Sequence, residues 1–535
     1  MQPVMFSKST LWDTYTGKRF RKIIEAQKAG KRGGLYDQSG YPKLANGEVK
    51  LVFAALYSLE QGFMMNNNFL LGFLNVLASG GPLRVLGINL FGENGHLRDY
   101  LMSLFAKYPG SRIKELKDRE YWDELLTEID RYRQEHNREQ PIAERNIHEM
   151  KVLMPLAYPQ GKNVISRGTY RIVDRNWDPG METDGILTVL TIEGMANVTQ
   201  TKIGASDSRH GTLSLSEQTI WSRLRYLKSQ TPVFFVTFSH HFSSGLCGHA
   251  RSFPDKARKL GILNQEYFLN EGFSELGYRV LQFLLGIRRQ DGKWVRDPGA
   301  GRRILIDVKH MSLKGRTALY QIVEQFNADP DHAARRIPIV ASHVGFSNLS
   351  IGQMLYNIRS GRETSKTQPM ESVEFGRHQI FNTWSINLGM EEIGIIVRSG
   401  GLIGVSLEQN NLGIPFGARL KKKPETYFTD LVFNQILAMA RAADHPEFWR
   451  CITMGTDFDG LIDPVDRYSS ALFFDKLRTD LEPRFLGLSW EEKQLAHLPQ
   501  QLDPPGLAPI LDNLFYGNAR DFLARNFDPV DMPGI

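Results

Sequence analysis

A chain of 535 residues, 41% of them hydrophobic, can bury one large core or two ordinary ones. Its 65 basic and 59 acidic residues leave a formal charge of only +6, with no basic stripe or interleaved aromatics, so nucleic-acid binding is not expected. Two cysteines, Cys247 and Cys451, cannot staple a chain this long and lack CxxC spacing; they read as buried or incidental thiols, fitting a reducing compartment.

The first residues, Met-Gln-Pro-Val-Met-Phe-Ser-Lys, show no charged leader followed by an apolar stretch. The most apolar interval, 69–91, is broken by Asn75, Gly80, Gly81, Pro82 and Arg84, short of the ~20 apolar residues a bilayer helix needs. No membrane span is expected, and the sequence as it stands reads as cytoplasmic.

The first predicted strand is Lys50-Leu-Val-Phe-Ala-Ala-Leu-Tyr57. The interval 60–180 that follows is too long for one crossover. It holds helical patterns at 97–108, 121–135 and 142–156, and reads as a helical insertion within a single hydrolase domain spanning 1–535. Further predicted strands cover 186–193, 232–240, 303–310, 337–343, 401–408 and 451–457. Helices are predicted at 271–285, 427–443 and 511–526, and small insertions at 288–301 and 352–384.

Short, near-continuous apolar runs suit parallel strands covered on both faces, and alternation with helices means crossover connections. Seven such strands approach the eight of a (β/α)8 TIM-type barrel. Glu193, His240, His310, His343 and Asp457 each stand where a different run ends. Barrel enzymes build their sites on that rim, whereas an open doubly wound sheet gathers its ligand groups at one switch point.

Histidine nitrogen and carboxylate oxygen are the donors of hydrolytic zinc sites, which keep one position open for water. Glu193 is placed to bridge two cations, His310 and His343 to complete one shell, and Asp457 to bind the second cation and take a proton from water. A lone histidine at a strand end is more often a hydrogen-bonded core residue; four strand ends of the right types carry the reading. His96, His136, His148, His210, His332, His378, His445 and His497 lie in helical or loop sequence and read as surface residues.

From Tyr41 to the C-terminus these segments resemble the renal (membrane) dipeptidase family of the amidohydrolase superfamily. Tyr41-Pro-Lys-Leu-Ala-Asn-Gly-Glu-Val49 resembles the approach to its second strand, and Thr191-Ile-Glu193-Gly-Met its bridging-glutamate segment. Val236-Thr-Phe-Ser-His240 is similar to its substrate-side histidine strand. Gly272-Phe-Ser-Glu-Leu-Gly277, Ile304-Leu-Ile-Asp-Val-Lys-His310-Met-Ser and Pro338-Ile-Val-Ala-Ser-His343 resemble the segments around its metal histidines. Gly455-Thr-Asp457-Phe-Asp-Gly460 is the most specific match, and Tyr516-Gly-Asn518-Ala resembles its closing helix.

The resemblance implies a zinc-dependent dipeptidase with two zinc ions, one being possible here. Glu193 would bridge, His310 and His343 would hold one ion, and Asp457 would bind the other and act as general base. His240 would steady the substrate carbonyl. The substrate would be a small peptide or amide, often with a D-residue or dehydro-residue second, and homodimer formation is left open.

Two departures remain. The family's arginine for the substrate carboxylate has no clear equivalent among Arg359, Arg362 and Arg377. The superfamily's HxH or HxD pair, which ends the first strand, is absent near this N-terminus. The expectation is that the first barrel strand is missing and that the natural chain starts upstream, which leaves export open. The rival readings are another hydrolase on the same centre, for lactones or phosphoesters, and a catalytically disabled binding protein.

Overall fold

Seven strands of an eight-stranded parallel sheet follow one another in space as they do in sequence, and the eighth, Tyr170–Ile172, pairs off this path with Ile186–Thr188. The seven are β1 (Leu51–Leu56), β2 (Ile186–Glu193), β3 (Phe235–Thr237), β4 (Leu305–Asp307), β5 (Val340–Val344), β6 (Leu402–Val405) and β7 (Ile452–Met454). The computed structural model describes residues 10–13, 37–58, 60, 120–174, 185–201, 215–253, 264–363, 369–415, 423–460 and 462–528. A strand order that never reverses belongs to a barrel rather than to a doubly wound sheet. Among the described residues no ladder joins β7 to β1, so the sheet is a partial (β/α) barrel. A cavity of about 170 Å³ lies between those two strands, lined by Leu51, Phe53 and Ala55 on one side and Thr453 and Gly455 on the other.

The strands are apolar throughout because each faces two cores. Leu187, Val189, Phe235, Leu305, Val340 and Leu402 meet in one cluster. Their alternates, such as Leu190, Val236, Ile306, Ala341 and Ile403, join the larger cluster that includes the surrounding helices. Period-two alternation between two buried faces gives this pattern. Above the apolar layer the inward positions turn polar. Asp307 accepts from Thr237 Oγ1 and Ser342 Oγ, both at 2.6 Å, and from the backbone nitrogens of Ser342 and Lys309. That belt is the floor of the rim.

Crossover helices start on the caps their sequences supply. Ser216, Ser274 and Ser312 accept from backbone nitrogens at the starts of α1 (Glu217–Gln230), α2 (Glu275–Leu285) and α3 (Leu313–Asn327). All seven predicted strands are present, but that predicted at 303–310 is a strand only over Leu305–Asp307, and the chain turns through a left-handed residue at His310. The predicted 511–526 helix instead begins at Pro504 on an Asp503 cap and passes through a π turn, Asn513–Gly517. The interval 60–180 contains helices Tyr121–Glu135 and Glu144–Ala157; the helix predicted at 97–108 lies outside the described residues. The small insertions carry the hairpins Ile287–Gln290/Lys293–Arg296 and Pro369–Glu374/Arg377–Asn382.

One reading needs correction. His332 is buried, not a surface residue: its ring stacks on Phe326 at 3.8 Å and its Nδ1 bonds the Phe326 carbonyl at 2.9 Å. Cys247 and Cys451 are both buried free thiols, pushed up to about 12 by burial. Among the described residues, no helix is long and apolar enough to cross a membrane.

Candidate metal centre

The five residues singled out at strand ends come together at one mouth of the sheet. Three imidazole Nε2 atoms converge on a single oxygen, Oε1 of Glu193: His240 at 3.3 Å, His343 at 3.5 Å and His310 at 3.8 Å. His343 Nε2 also stands 3.7 Å from Asp457 Oδ2. Glu193 and the three histidines are each at least nine-tenths buried.

Backbone conformation aims these groups. His310 and Asp457 both adopt left-handed angles, φ 63° and 59°, which cost non-glycine residues about 1–3 kcal/mol each. The turn after β4 is held from outside. The Ala250 nitrogen donates to the His310 carbonyl, and Arg316, fully buried against Glu392, donates to the Met311 carbonyl. At Gly460 a Cβ would lie 1.9 Å from Asp457 Oδ1, so only glycine leaves the carboxylate its place.

Three of the histidines are oriented from behind, whereas His310 Nδ1 is buried without a hydrogen-bond partner. Glu60 Oε2 lies 2.6 Å from His240 Nδ1. Ser342 Oγ lies 2.8 Å from His343 Nδ1 and donates onward to Asp307. His241, beside the cluster, is held through Nδ1 by Ser252 Oγ at 2.8 Å. Such outer bonds fix the tautomer of a metal-binding imidazole and leave Nε2 forward.

The electrostatics divide the histidines into two kinds. Burial lowers His343 to about 3, and burial with the charge of His240 holds His310 and His241 well below the usual range; all three are neutral, as a ligand must be. Burial alone would lower His240 too, but Glu60 and Glu193 on either side raise it to about 10, so it carries a proton on each nitrogen. Burial disfavours the charged form of Glu193, yet its bond to His240 and that residue's charge bring it down to about 2. Burial and the negative charge of Glu193 push Asp457 well up. Of the two buried carboxylates, Asp457 is the one left short of positive charge.

A cation fits that deficit. Donors bound to one tetrahedral metal at ~2.0–2.2 Å stand about 3.3–3.6 Å apart, longer than a good hydrogen bond. The distances from Glu193 Oε1 to His343 and His310, 3.5 and 3.8 Å, fall at or just beyond that range, and the donor atoms of the three residues all lie within 4.8 Å of one another. His343 Nε2 is buried with no hydrogen-bond partner, an arrangement that is costly unless something else takes its lone pair.

Sequence reasoning missed several neighbours. Glu60 stands just past β1, beyond the end of the apolar run that marked the strand. His241 adjoins a histidine already chosen. His240, His241 and His310 also have donor atoms within 4.8 Å of one another. Lys309 Nζ is buried without a hydrogen-bond partner, with Asp457, Glu408, Asp307 and Glu193 as its electrostatic neighbours. Period-two counting along β4, from Asp307 to Lys309, would have flagged it. The arginines resolve away from the cluster: Arg377 pairs with Glu492 at 2.6 Å and Arg362 lies over the Tyr356 ring, while no contact joins Arg359 to it among the described residues.

No protein-family model matches the chain, and no curated protein does. Solved structures of metallopeptidases are among those it is similar to. One is the dipeptidase AC, a metallopeptidase, at 13% identity over 95% of both chains with a TM-score of 0.42. Another is a metallopeptidase from Rhodobacter sphaeroides, liganded with a phosphinate mimic of the dipeptide L-Ala-D-Ala. It is 11% identical over 96% of this chain and 98% of that one, with a TM-score of 0.41. The probable dipeptidase PvdM from Pseudomonas aeruginosa is 14% identical over 94% of this chain and 98% of its own, with a TM-score of 0.34.

Proposed function

We propose that this chain is a metal-dependent hydrolase of a peptide or amide bond in a small, dipeptide-like substrate. The observation that carries the reading is the convergence of three Nε2 atoms on Glu193 Oε1, with His343 Nε2 buried and unbonded.

Glu193, His310 and His343 would hold one cation, zinc by the nitrogen and oxygen character of the donors. The resemblance in sequence implies a second, and the close approach of Glu193, His310 and His343 supports one. When bound, the metal lowers the proton affinity of water and polarises the substrate carbonyl. The remaining work falls to the chain. Asp457, whose Oδ2 stands 3.7 Å from His343 Nε2 at the same mouth, accepts the proton from the attacking water and passes it to the leaving amine. His240, protonated on both nitrogens, donates from Nε2 to the carbonyl oxygen as negative charge develops there.

The test is a panel of dipeptides, including ones with a second D-residue, assayed on zinc-loaded protein with and without chelator. Chelator-sensitive cleavage supports the reading; a zinc-loaded chain that cleaves no dipeptide contradicts it.

A further inference from the structure

We propose that Glu60 is the positioning residue of the centre: it clamps the ring of His240 so that Nε2 faces the substrate rather than the metal. The inference rests on the reading of His240 as the carbonyl-side group.

The clamp is built from three directions. Glu60 Oε2 stands 2.6 Å from His240 Nδ1, with the two side chains 4% and 2% exposed. The other oxygen, Oε1, accepts from the backbone nitrogen of Phe242 at 3.3 Å, tying the carboxylate to the chain two residues beyond the histidine. Tyr57 meets the ring edge-on with centroids 5.0 Å apart. On the fourth side is Gly194, at φ 87°, where a Cβ would come within 3.0 Å of His240 Cβ. Glutamate and tyrosine both come from the end of β1, so one strand terminus holds the side chain of another.

A carboxylate only accepts, so the hydrogen of Nδ1 points at Glu60 and the ring cannot flip without breaking a buried bond. Nε2 is then directed at the Glu193 side of the cleft, 3.3 Å from Oε1. His240 is outside the Glu193, His310 and His343 set, and its close donor neighbours are His241 and His310. A carboxylate behind an imidazole aims Nε2 at whatever the ring faces, and with His240 as the carbonyl-side group Glu60 fixes a donor toward the substrate. The arrangement has the logic of a triad's acid and histidine, in which an acid sets tautomer and aim without taking part in the bond changes.

The experiment compares the full-length zinc-loaded protein with its Glu60→Ala and Glu60→Gln variants. For a dipeptide with a second D-residue, Glu60→Ala lowers kcat ~10- to 100-fold while KM changes little, and bound zinc per chain is unchanged. Glu60→Gln, whose amide oxygen still accepts from Nδ1, recovers most of the loss. Proton NMR gives a readout independent of turnover: a low-field Nδ1 proton assigned to His240 is present in the parent and lost in Glu60→Ala. Parent-like kcat, loss of zinc, or an unchanged low-field proton in Glu60→Ala overturns the proposal. If the parent cleaves no dipeptide, the hydrolase reading fails by itself, and the zinc count and the low-field proton still decide for or against Glu60.

Discussion

Asp307 and Ser342, on neighbouring strands, share a 2.6 Å hydrogen bond whose far end reaches a candidate metal ligand. Ser342 donates to Asp307 Oδ2, so the proton between Ser342 and His343 belongs to His343 Nδ1, and Nε2 keeps its lone pair. The relay is set by strand order: β4 and β5 are adjacent, and their inward positions meet under the rim. Ser342→Ala removes the acceptor from Nδ1 and is expected to weaken zinc binding ~10- to 100-fold with the fold intact. Titration against a fluorescent chelator measures this; parent-like affinity would show the relay to be idle.

Asp457→Asn is the matching test on the chemical step. Asparagine keeps the shape and loses the proton acceptor, so turnover should be abolished while thermal unfolding moves little. Gly460→Ala should act on the same group indirectly, because its Cβ would collide with Asp457 Oδ1 and with the Asp457 carbonyl. Near-normal kcat in Asp457→Asn would remove that residue from the mechanism.

Stripping the metal should destabilise the protein, since the cation offsets two buried carboxylates, Glu193 and Asp457. A ligand held only by the native state adds about 2.7 kcal/mol at a free concentration a hundredfold above its Kd. Chelator should therefore lower Tm, and added zinc should restore it. Identical melting curves with and without chelator would contradict a native cation at this mouth.

A buried lysine away from the site gives a pH test of the fold. Lys228 Nζ donates to the Phe283 carbonyl, and burial, with the charge of Arg302 next, brings it down to about 7 from the usual 10.5. Between those values the unfolded chain holds a proton there that the native chain has released. More protons in the unfolded state mean that this group makes stability rise with pH across the window from about 7 to 10.5. Lys228→Met should flatten the dependence of Tm on pH there, and parent and variant curves of equal slope would speak against the assignment.

The rim was legible in the sequence for a simple reason. Parallel strands buried on both faces leave unbroken apolar runs, so the polar residue ending each run marks a place on the mouth, and Glu193, His240, His310, His343 and Asp457 were found that way. The supports behind them were not. Asp307 and Lys309 lie inside a run, where one strand interior looks like another until the neighbours across the sheet are known. Glu60 lies past the end of its strand, 180 residues from the histidine it holds, and no periodicity links them. His332 sits in a 3-10 turn whose stacking on Phe326 leaves no trace in the spacing of apolar residues.

The most direct test is a crystal of the zinc-loaded protein, with anomalous differences measured at the zinc edge. The account predicts a peak ~2.0–2.2 Å from Glu193 and from both His310 and His343, with His240 turned to Glu60 and uncoordinated. A zinc-loaded crystal with no peak among those three residues, or with its peak on His240, would contradict it.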